Sequence, residues 1–416
     1  MSEESTGLFV INPSLSIEEK EGRLFITLLP ERRKISTKFD MYQLIQYCNK
    51  PRSLKDVKDK YGLDNKFIQF LLSQNLLVPV DRANLFAGGI LSPSLRTIGF
   101  SENLQTLISK KHGDRWCLFG VPVSFEKHNS WSSEEGPEAI RSSLRLFEND
   151  RGINWENYIS ENQNKDDFYI WEWNRRLKVS YQKVAPFDLG NICYKPSNEV
   201  REHIHKKVEY VVEKIVQNGG RPLVLGGEHS ITKPIIDVLF KYHERFTIIH
   251  FDAHTDRYEN NLGNRNCITP GNVISKVINN EKFHQLYQMG IREFEWISNQ
   301  VDPLKDSRIF VFTTYHLQSL EPQQIFRSLS YNEPIYISVD ADVFDPTYAP
   351  EVTWPVMGGL TFFQMFKLFD YLIQNYRVIG ADFVEVCGPR NGRNLAASCL
   401  ANLITILLLS QVGKNT

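Results

Sequence analysis

From Trp116 onward the chain alternates short apolar runs with longer stretches of helical spacing. The runs are "WCLFGVPVS", "RPLVLGGE", "FTIIHFDAH", "RIFVFT", "PIYISVDAD" and "VIGADFVEV". Most lack strict apolar–polar alternation, as parallel strands covered on both faces do. Helical stretches such as 197–217 and 361–376 lie between them. Strands alternating with helices predict an α/β fold on a parallel sheet. Residues 151–184 break the rhythm: they are polar and aromatic without a clean period, and read as an irregular insertion. Its Trp155, Trp171 and Trp173 are candidates to line a path to a site, or simply part of a packed surface loop.

Residues 7–83 follow a different pattern. "LFVINP", "RLFITLLP" and "RRKISTKFD" predict three short strands, and "MYQLIQYCN", "SLKDVKDKYG" and "NKFIQFLLSQNLLV" predict three helices. Ser53 is suited to cap the second helix and Gly62 to end it. A stretch rich in Gly, Ser and Pro, 82–103, reads as a connection. The expected organisation is a small α+β domain over 1–83, a linker over 84–111 and a large α/β domain over 112–416.

The apolar segment "LAASCLANLITILLLSQV" (395–412) carries Ser398, Asn402, Ser410 and Gln411, and reads as a buried core helix rather than a membrane span. The 416 residues are 42% hydrophobic and 23% charged, as in soluble globular proteins. A net charge of −1 gives no pull toward nucleic acid or membrane, and neither is expected as a partner. The six cysteines are scattered, and the start, "MSEESTG", is not a signal peptide. The expected location is the cytoplasm.

Candidate chemistry gathers where the apolar runs end. Glu228 and His229 follow one run; Asp252, His254 and Asp256 another; Asp340, Asp342 and Asp345 a third; Asp382 and Glu385 a fourth. If the strand ending in "HFDAHTD" continued, its period of two would point Asp252, His254 and Asp256 to one side. Ligands of open α/β sheets bind beyond the carboxyl ends of the strands. Carboxylates and imidazoles converging there repel one another unless a cation joins them. The donors are mostly oxygen, with imidazole and no thiolate, which favours Mn²⁺ or a similar ion over structural zinc. They are too many for one ion; a pair about 3.5–4 Å apart would use them. Singly, each cluster has an ordinary reading: acids on solvated loops, Asp345 before Pro346 as a turn-former, Glu228 orienting its neighbours. Three clusters at three strand ends favour the metal.

These motifs resemble those of the ureohydrolases, the family of arginase and agmatinase. The family patterns G-G-[DE]-H-S, D-A-H-x-D and S-x-D-x-D-x-x-D-P-x-x-x-P stand here as "GGEHS" (226–230), "DAHTD" (252–256) and "SVDADVFDPTYAP" (338–350). Weaker matches are "GVPVS" (120–124), "GPEAIR" (136–141), "DLGNI" (188–192), "MGIRE" (289–293), "GGLT" (358–361) and "DFVEV" (382–386). The resemblance implies a three-layer, parallel-sheet α/β domain with two Mn²⁺. It implies His229 and Asp256 on one ion, His254 and Asp342 on the other, and Asp252 and Asp340 bridging. Glu385 matches the glutamate that receives a guanidinium, and Asp256 the group that carries a proton to the leaving amine. The implied reaction releases urea.

One departure stands out. Arginases and agmatinases usually have a proton-shuttle histidine shortly after D-A-H-x-D, whereas "RYENNLGNRNCITPGNV" (257–273) has none. The segment with which arginase grips a free amino acid is also not recognisable. The three-strand, three-helix pattern of 7–83 is similar to the winged-helix leader-recognition domain of ribosomal peptide maturation. Together the resemblances imply a peptide arginase that converts arginine to ornithine in a leader-bearing precursor peptide. A small-molecule ureohydrolase, a metal-binding protein without turnover, and a deacetylase-like use of the fold are the alternatives. A homo-oligomer is a further possibility.

Overall fold

The computed structural model of the chain describes residues 8–11, 15–20, 23–28, 33–38, 40–48, 51–73, 76–79, 90–92, 94, 98, 100–101, 111, 113–125, 132–144, 169–193, 201–258, 267–294, 304–388 and 394–410. The chain divides into two compact units: Met1–Pro93 with Ile192–Lys207, and Ser94–Asn191 with Val208–Thr416.

The larger unit is an α/β fold on a parallel sheet. Its main strands are β1 (Trp116–Val121), β2 (Phe187–Ile192), β3 (Arg221–Gly226), β4 (Thr247–Phe251), β5 (Gln285–Ile291), β6 (Ile309–Thr313), β7 (Ile335–Asp340) and β8 (Val378–Val384). They lie in the order β6-β5-β4-β7-β8-β3-β1-β2, every neighbouring pair parallel. Every residue of β1, β4, β7 and β8 is buried, which is why their sequences read as unbroken apolar runs. The apolar stretches do not predict β2 and β5 as strands. β2, "FDLGNI", carries Asp, Gly and Asn, and β5, "QLYQMGI", is broken by glutamines. Both lower β-propensity, and burial in the sheet overrides it.

Helices Phe362–Asn375 and Leu395–Leu409 share one core with these strands. Thr361 and Gln364 form a reciprocal cap on the first, and Asn394 accepts from the Ala397 N–H on the second. Leu395–Leu409 buries most of its surface in the core, as its sequence predicts. Among the described residues no helix is long and apolar enough to cross a membrane.

Two of the weaker motifs are scaffold. Arg141 of "GPEAIR" is fully buried and donates to both Asp188 oxygens, to Asn191 Oδ1 and to the Gly190 carbonyl of "DLGNI". Asn191 in turn donates to Glu138. A buried guanidinium bonded through all three of its nitrogens locks β2 to the helix Gly136–Ser143. The insertion is not irregular where it is described: Tyr169–Glu172 and Leu177–Ser180 pair as an antiparallel hairpin, followed by the short helix Tyr181–Val184. Trp171 and Trp173 stand exposed on that hairpin, and Trp155 falls outside the described residues.

In the smaller unit, helices Asp40–Tyr47 and Leu54–Tyr61 form as expected, whereas the third, Asn65–Ser73, stops short of the predicted segment, whose end belongs to the strand Leu77–Pro79. The Ser53 hydroxyl accepts from the Asp56 N–H at 3.0 Å, and Gly62 ends the helix in the left-handed region at φ 61°. The strands differ from the sequence reading. Leu15–Lys20, Arg23–Leu28 and Arg33–Lys38 make an antiparallel meander, while Leu8–Ile11 belongs to a second sheet between Arg52–Ser53 and Leu77–Pro79. The extra strand "LSIEEK" ends in charge, which hides the apolar alternation of Leu15 and Ile17. Ile26, Leu44, Ile45, Val57, Ile68 and Leu71 form this unit's core.

Candidate metal centre

The sheet brings its polar residues together beyond the ends of β3, β4, β7 and β8. The strand β4 stops at Phe251, so the period-two reading of Asp252, His254 and Asp256 does not hold. Asp252 still donates its N–H to Met289 on β5, 3.0 Å away. The chain then turns: the His254 N–H binds Asp252 Oδ1 at 2.6 Å, and Asp256 takes a left-handed φ of 50°. The Asp256 carbonyl accepts from Ile274 and Ser275 at the start of helix Val273–Ile278, which anchors the strained residue. Convergence therefore comes from the turn, not from strand alternation.

After β7, Asp340 caps a short turn, Ala341–Val343, by accepting from the Asp342 N–H at 2.9 Å. Asp342 accepts from the Ala253 N–H at 3.0 Å, tying the two loops together. Arg292 of "MGIRE" donates to the carbonyls of Gly290, Asp342, Val343, Phe344 and Val356, so this motif clamps the site's loops. Gly227 of "GGEHS" has no room for a side chain, since a Cβ there would lie 2.0 Å from the Val123 carbonyl oxygen. The close approach delivers His229 to the centre.

The six residues expected as donors meet. His229 Nδ1 lies 3.2 Å from Asp252, 3.0 Å from Asp256 and 3.2 Å from Asp340. His254 Nδ1 lies 3.3 Å from Asp252 Oδ1 and 2.9 Å from Asp342. Among the described residues two clusters have metal-holding geometry: His229, His250, Asp252 and Asp256, and Asp252, His254 and Asp342. Asp252 belongs to both. His250 was missed by the motif reading, although it lies two residues before Asp252 on a strand and so on the same face.

The electrostatics favour a cation among the aspartates. Burial opposes a charged imidazole at His229, but Asp252, Asp256 and Asp340 outweigh it and hold its pKa well above the usual range. Burial, Asp342 and Asp252 raise Asp340 well above a normal carboxyl. Asp252 goes the other way: burial would raise it, but His229, His250 and His254 hold it well below. His229 Nδ1 and Asp252 Oδ2 are buried with no hydrogen-bond partner, which is costly without an ion between them. Carboxylate oxygen and imidazole nitrogen are the donors a divalent first-row ion takes.

Beside the donors lies a cavity of ≈ 270 Å³, lined among others by Glu228, Thr353, Trp354, Glu385, Tyr258 and Glu293. Glu385 holds a left-handed φ of 62°. Its Oε1 accepts from the His229 N–H at 2.7 Å and its Oε2 from Thr353 at 2.8 Å. Burial and the nearby Glu228 push its pKa up to about 8. Two of the residues expected near the site stand apart from the donors. Asp345 is a turn-former, accepting from Thr347, Gly358 and Gly359. Glu228 orients neighbours, accepting from Ser230 and from the Phe125 N–H. Sequence reasoning also passed over Glu293, whose Oε2 lies 3.3 Å from His254 Nε2 and accepts from Tyr258 at 3.2 Å.

A parallel sheet carrying a His/Asp cage for metal beside an acidic cavity defines a metallohydrolase-like centre. The chain belongs to the Arginase family, whose sequence profile matches residues 114–409. The members of that family are hydrolases acting on guanidino C–N bonds, with a dinuclear metal site. It is 30% identical to an agmatinase of Blochmanniella floridana over 305 residues, 73% of this chain and 89% of that protein. Among solved structures it resembles formimidoylglutamase from Bacillus subtilis, at TM-score 0.60 and 20% identity, over 78% of this chain and 94% of that one. It also resembles proclavaminate amidino hydrolase from Streptomyces clavuligerus, at TM-score 0.59 and 20% identity, over 77% and 98%. At these identities the structural likeness speaks for the fold alone.

Proposed function

We propose that this chain hydrolyses a guanidinium group to urea and an amine, using two Mn²⁺ ions. His229 and Asp256 would hold one ion, His254 and Asp342 the other, with Asp252 and Asp340 between them. The observation that carries the reading is Asp252, whose carboxylate faces both donor clusters. When bound, the metal pair supplies a water acidic enough to act as a nucleophile near neutral pH. Glu385 receives the guanidinium: both its oxygens are fixed by His229 and Thr353, so its carboxyl is aimed at the cavity without reorganisation, and the bound cation would favour its ionised form. Asp256 takes the proton from the attacking water and passes it to the leaving nitrogen. No histidine occupies 257–273 to share that task.

The substrate we assign is arginine within a precursor peptide, yielding ornithine. Its support is the N-terminal part of the small unit, Met1–Pro93, which lies outside the matched span of 114–409. A leader peptide would add as a strand to an edge of the meander, Leu15–Lys20 or Arg33–Lys38. A second reading, a small-molecule ureohydrolase such as an agmatinase, is favoured by the relatives' names and fits the cavity equally. One experiment separates them. The Mn²⁺-loaded chain is incubated with a leader-bearing arginine peptide, agmatine or free arginine, and urea release is followed. Turnover of the peptide alone supports the first reading, and turnover of agmatine alone the second. Loss of residues 1–83 should impair the full precursor far more than a short peptide without a leader; equal loss on both would end the leader-recognition reading.

A further inference from the structure

A row of buried polar side chains crosses the sheet one step below the donors. Gln288 on β5 pairs in register with His250 on β4, His250 with Ser338 on β7, and Ser338 with Asp382 on β8. All four are fully buried. Two residues further along the chain from His250 and Ser338 stand the donors Asp252 and Asp340. Half of the row ends on His229: Ser338 Oγ is 2.9 Å from His229 Nε2 and donates to Asp382 at 2.7 Å. The other half, Gln288 and His250, has no part in the reaction described above.

The tautomer of His250 follows from its neighbours. Gln288 Nε2 donates to the Thr255 carbonyl at 2.7 Å, which fixes the orientation of the amide. The same nitrogen lies 3.2 Å from His250 Nδ1. An amide nitrogen only donates, so Nδ1 accepts and the ring proton sits on Nε2. Nε2 lies 3.1 Å from Asp252 Oδ2, the oxygen that also faces His229 Nδ1 at 3.2 Å. A protonated nitrogen cannot ligate a metal, but it can hold a carboxylate.

We propose that His250 is a positioning residue: pinned as the Nε2–H tautomer by Gln288, it holds Asp252 Oδ2 so that this carboxylate presents one oxygen to each donor cluster. Groups that orient metal ligands from behind typically contribute 10–100-fold in metal affinity. The inference rests on Asp252 serving both ions.

The test uses the full chain and reads Mn²⁺ affinity and stoichiometry by calorimetry and metal analysis, with circular dichroism for the fold. His250→Phe should fold and bind Mn²⁺ about 10–100-fold more weakly. His250→Gln, which keeps a donor, should recover most of that loss. Gln288→Glu leaves the imidazole in place but offers an acceptor to Nδ1, which moves the ring proton and should weaken Mn²⁺ in the same sense. Nitrogen NMR of the ¹⁵N-histidine-labelled wild-type chain, loaded with diamagnetic Cd²⁺, should show a proton on His250 Nε2 and none on Nδ1; this measurement stands even if a variant fails to fold. Unchanged affinity in a folded His250→Phe or in Gln288→Glu, no rescue by Gln, or a proton on Nδ1 would overturn the proposal. Asp252→Asn separates the two readings: if it leaves both ions bound, the underlying bridge is wrong, whereas if it loses both while His250→Phe loses neither, only His250 is misassigned.

Discussion

The two halves of the donor cage are built differently. The deep half, His229, Asp252 and Asp256, is buried throughout and rests on the polar row, His250 included, that crosses β5, β4, β7 and β8. The rim half, Asp252, His254 and Asp342, stands on turns beyond β4 and β7, and the His254 side chain is 12% exposed where that of His229 is 1%. His229 is backed by Ser338 and Asp382, a fully buried pair; His254 is backed by Glu293, which is 38% exposed, and through it by Tyr258. Rigid backing preorganises ligands, so the deep half should bind its ion more tightly and the rim half should exchange its ion more readily.

The largest expected effect comes from removing the residue the halves share. Asp252→Asn should release both ions and lower urea formation by more than about 10³-fold, since the nucleophile depends on them. Metal analysis showing one retained ion would mean that the halves are independent. Next is Glu385→Gln. It should keep both ions and lower turnover roughly 10–150-fold, the size of a charge-assisted hydrogen bond. Unchanged turnover would make Glu385 a scaffold residue that satisfies the His229 N–H and Thr353.

The difference between the halves gives a third prediction. His254→Ala should lose the rim ion and keep the deep one, whereas His229→Ala should lose the deep ion and, through the disturbed Asp252, weaken the rim site as well. A graded chelator titration of the wild-type chain should release metal in two steps. Simultaneous release of both ions would show a single cooperative site and erase the distinction drawn here.

Much of this was legible in the sequence, for identifiable reasons. Buried parallel strands leave unbroken apolar runs, so β1, β3, β4, β6, β7 and β8 stand out, and the acids at their ends follow from the rule that such sheets bind ligands there. β2 and β5 hid because their polar residues are used inside the sheet: Asp188 and Asn191 by Arg141, Gln288 by His250. The mechanism of convergence was misjudged because strand alternation cannot foresee a left-handed Asp256. His250 was overlooked because a histidine within an apolar run carries no motif, yet its spacing from Asp252 placed it on the same face. In the small unit the caps at Ser53 and Gly62 were readable from local chemistry, while strand partners are set by long-range pairing that no short window contains.

The smallest expected effect concerns pH, and it contrasts the metal-free chain with the loaded one. Without metal, His229 and His254 are the cations of the cage. At both, burial disfavours the charge but the surrounding aspartates overcome it, so both pKa values rise in the fold. A histidine raised above its unfolded value of about 6.5 stabilises fully below that pH and loses its contribution as pH climbs toward the folded value. Asp340, Asp256 and Glu385 are also raised, with burial as the leading cause, and act in the same direction. Asp252, held low by the three histidines, titrates below pH 6 and leaves the sign unchanged. The raised groups therefore set the sign above pH 6. The metal-free chain should therefore melt at progressively lower temperature from pH 6 to pH 9. Mn²⁺ replaces those protons, and its binding strengthens as the ligands lose them. The gain in melting temperature on adding Mn²⁺ should thus widen with pH. Thermal melts of chelated and reloaded protein across this range measure it; a gap that stays constant would mean that the histidines are already neutral in the metal-free fold.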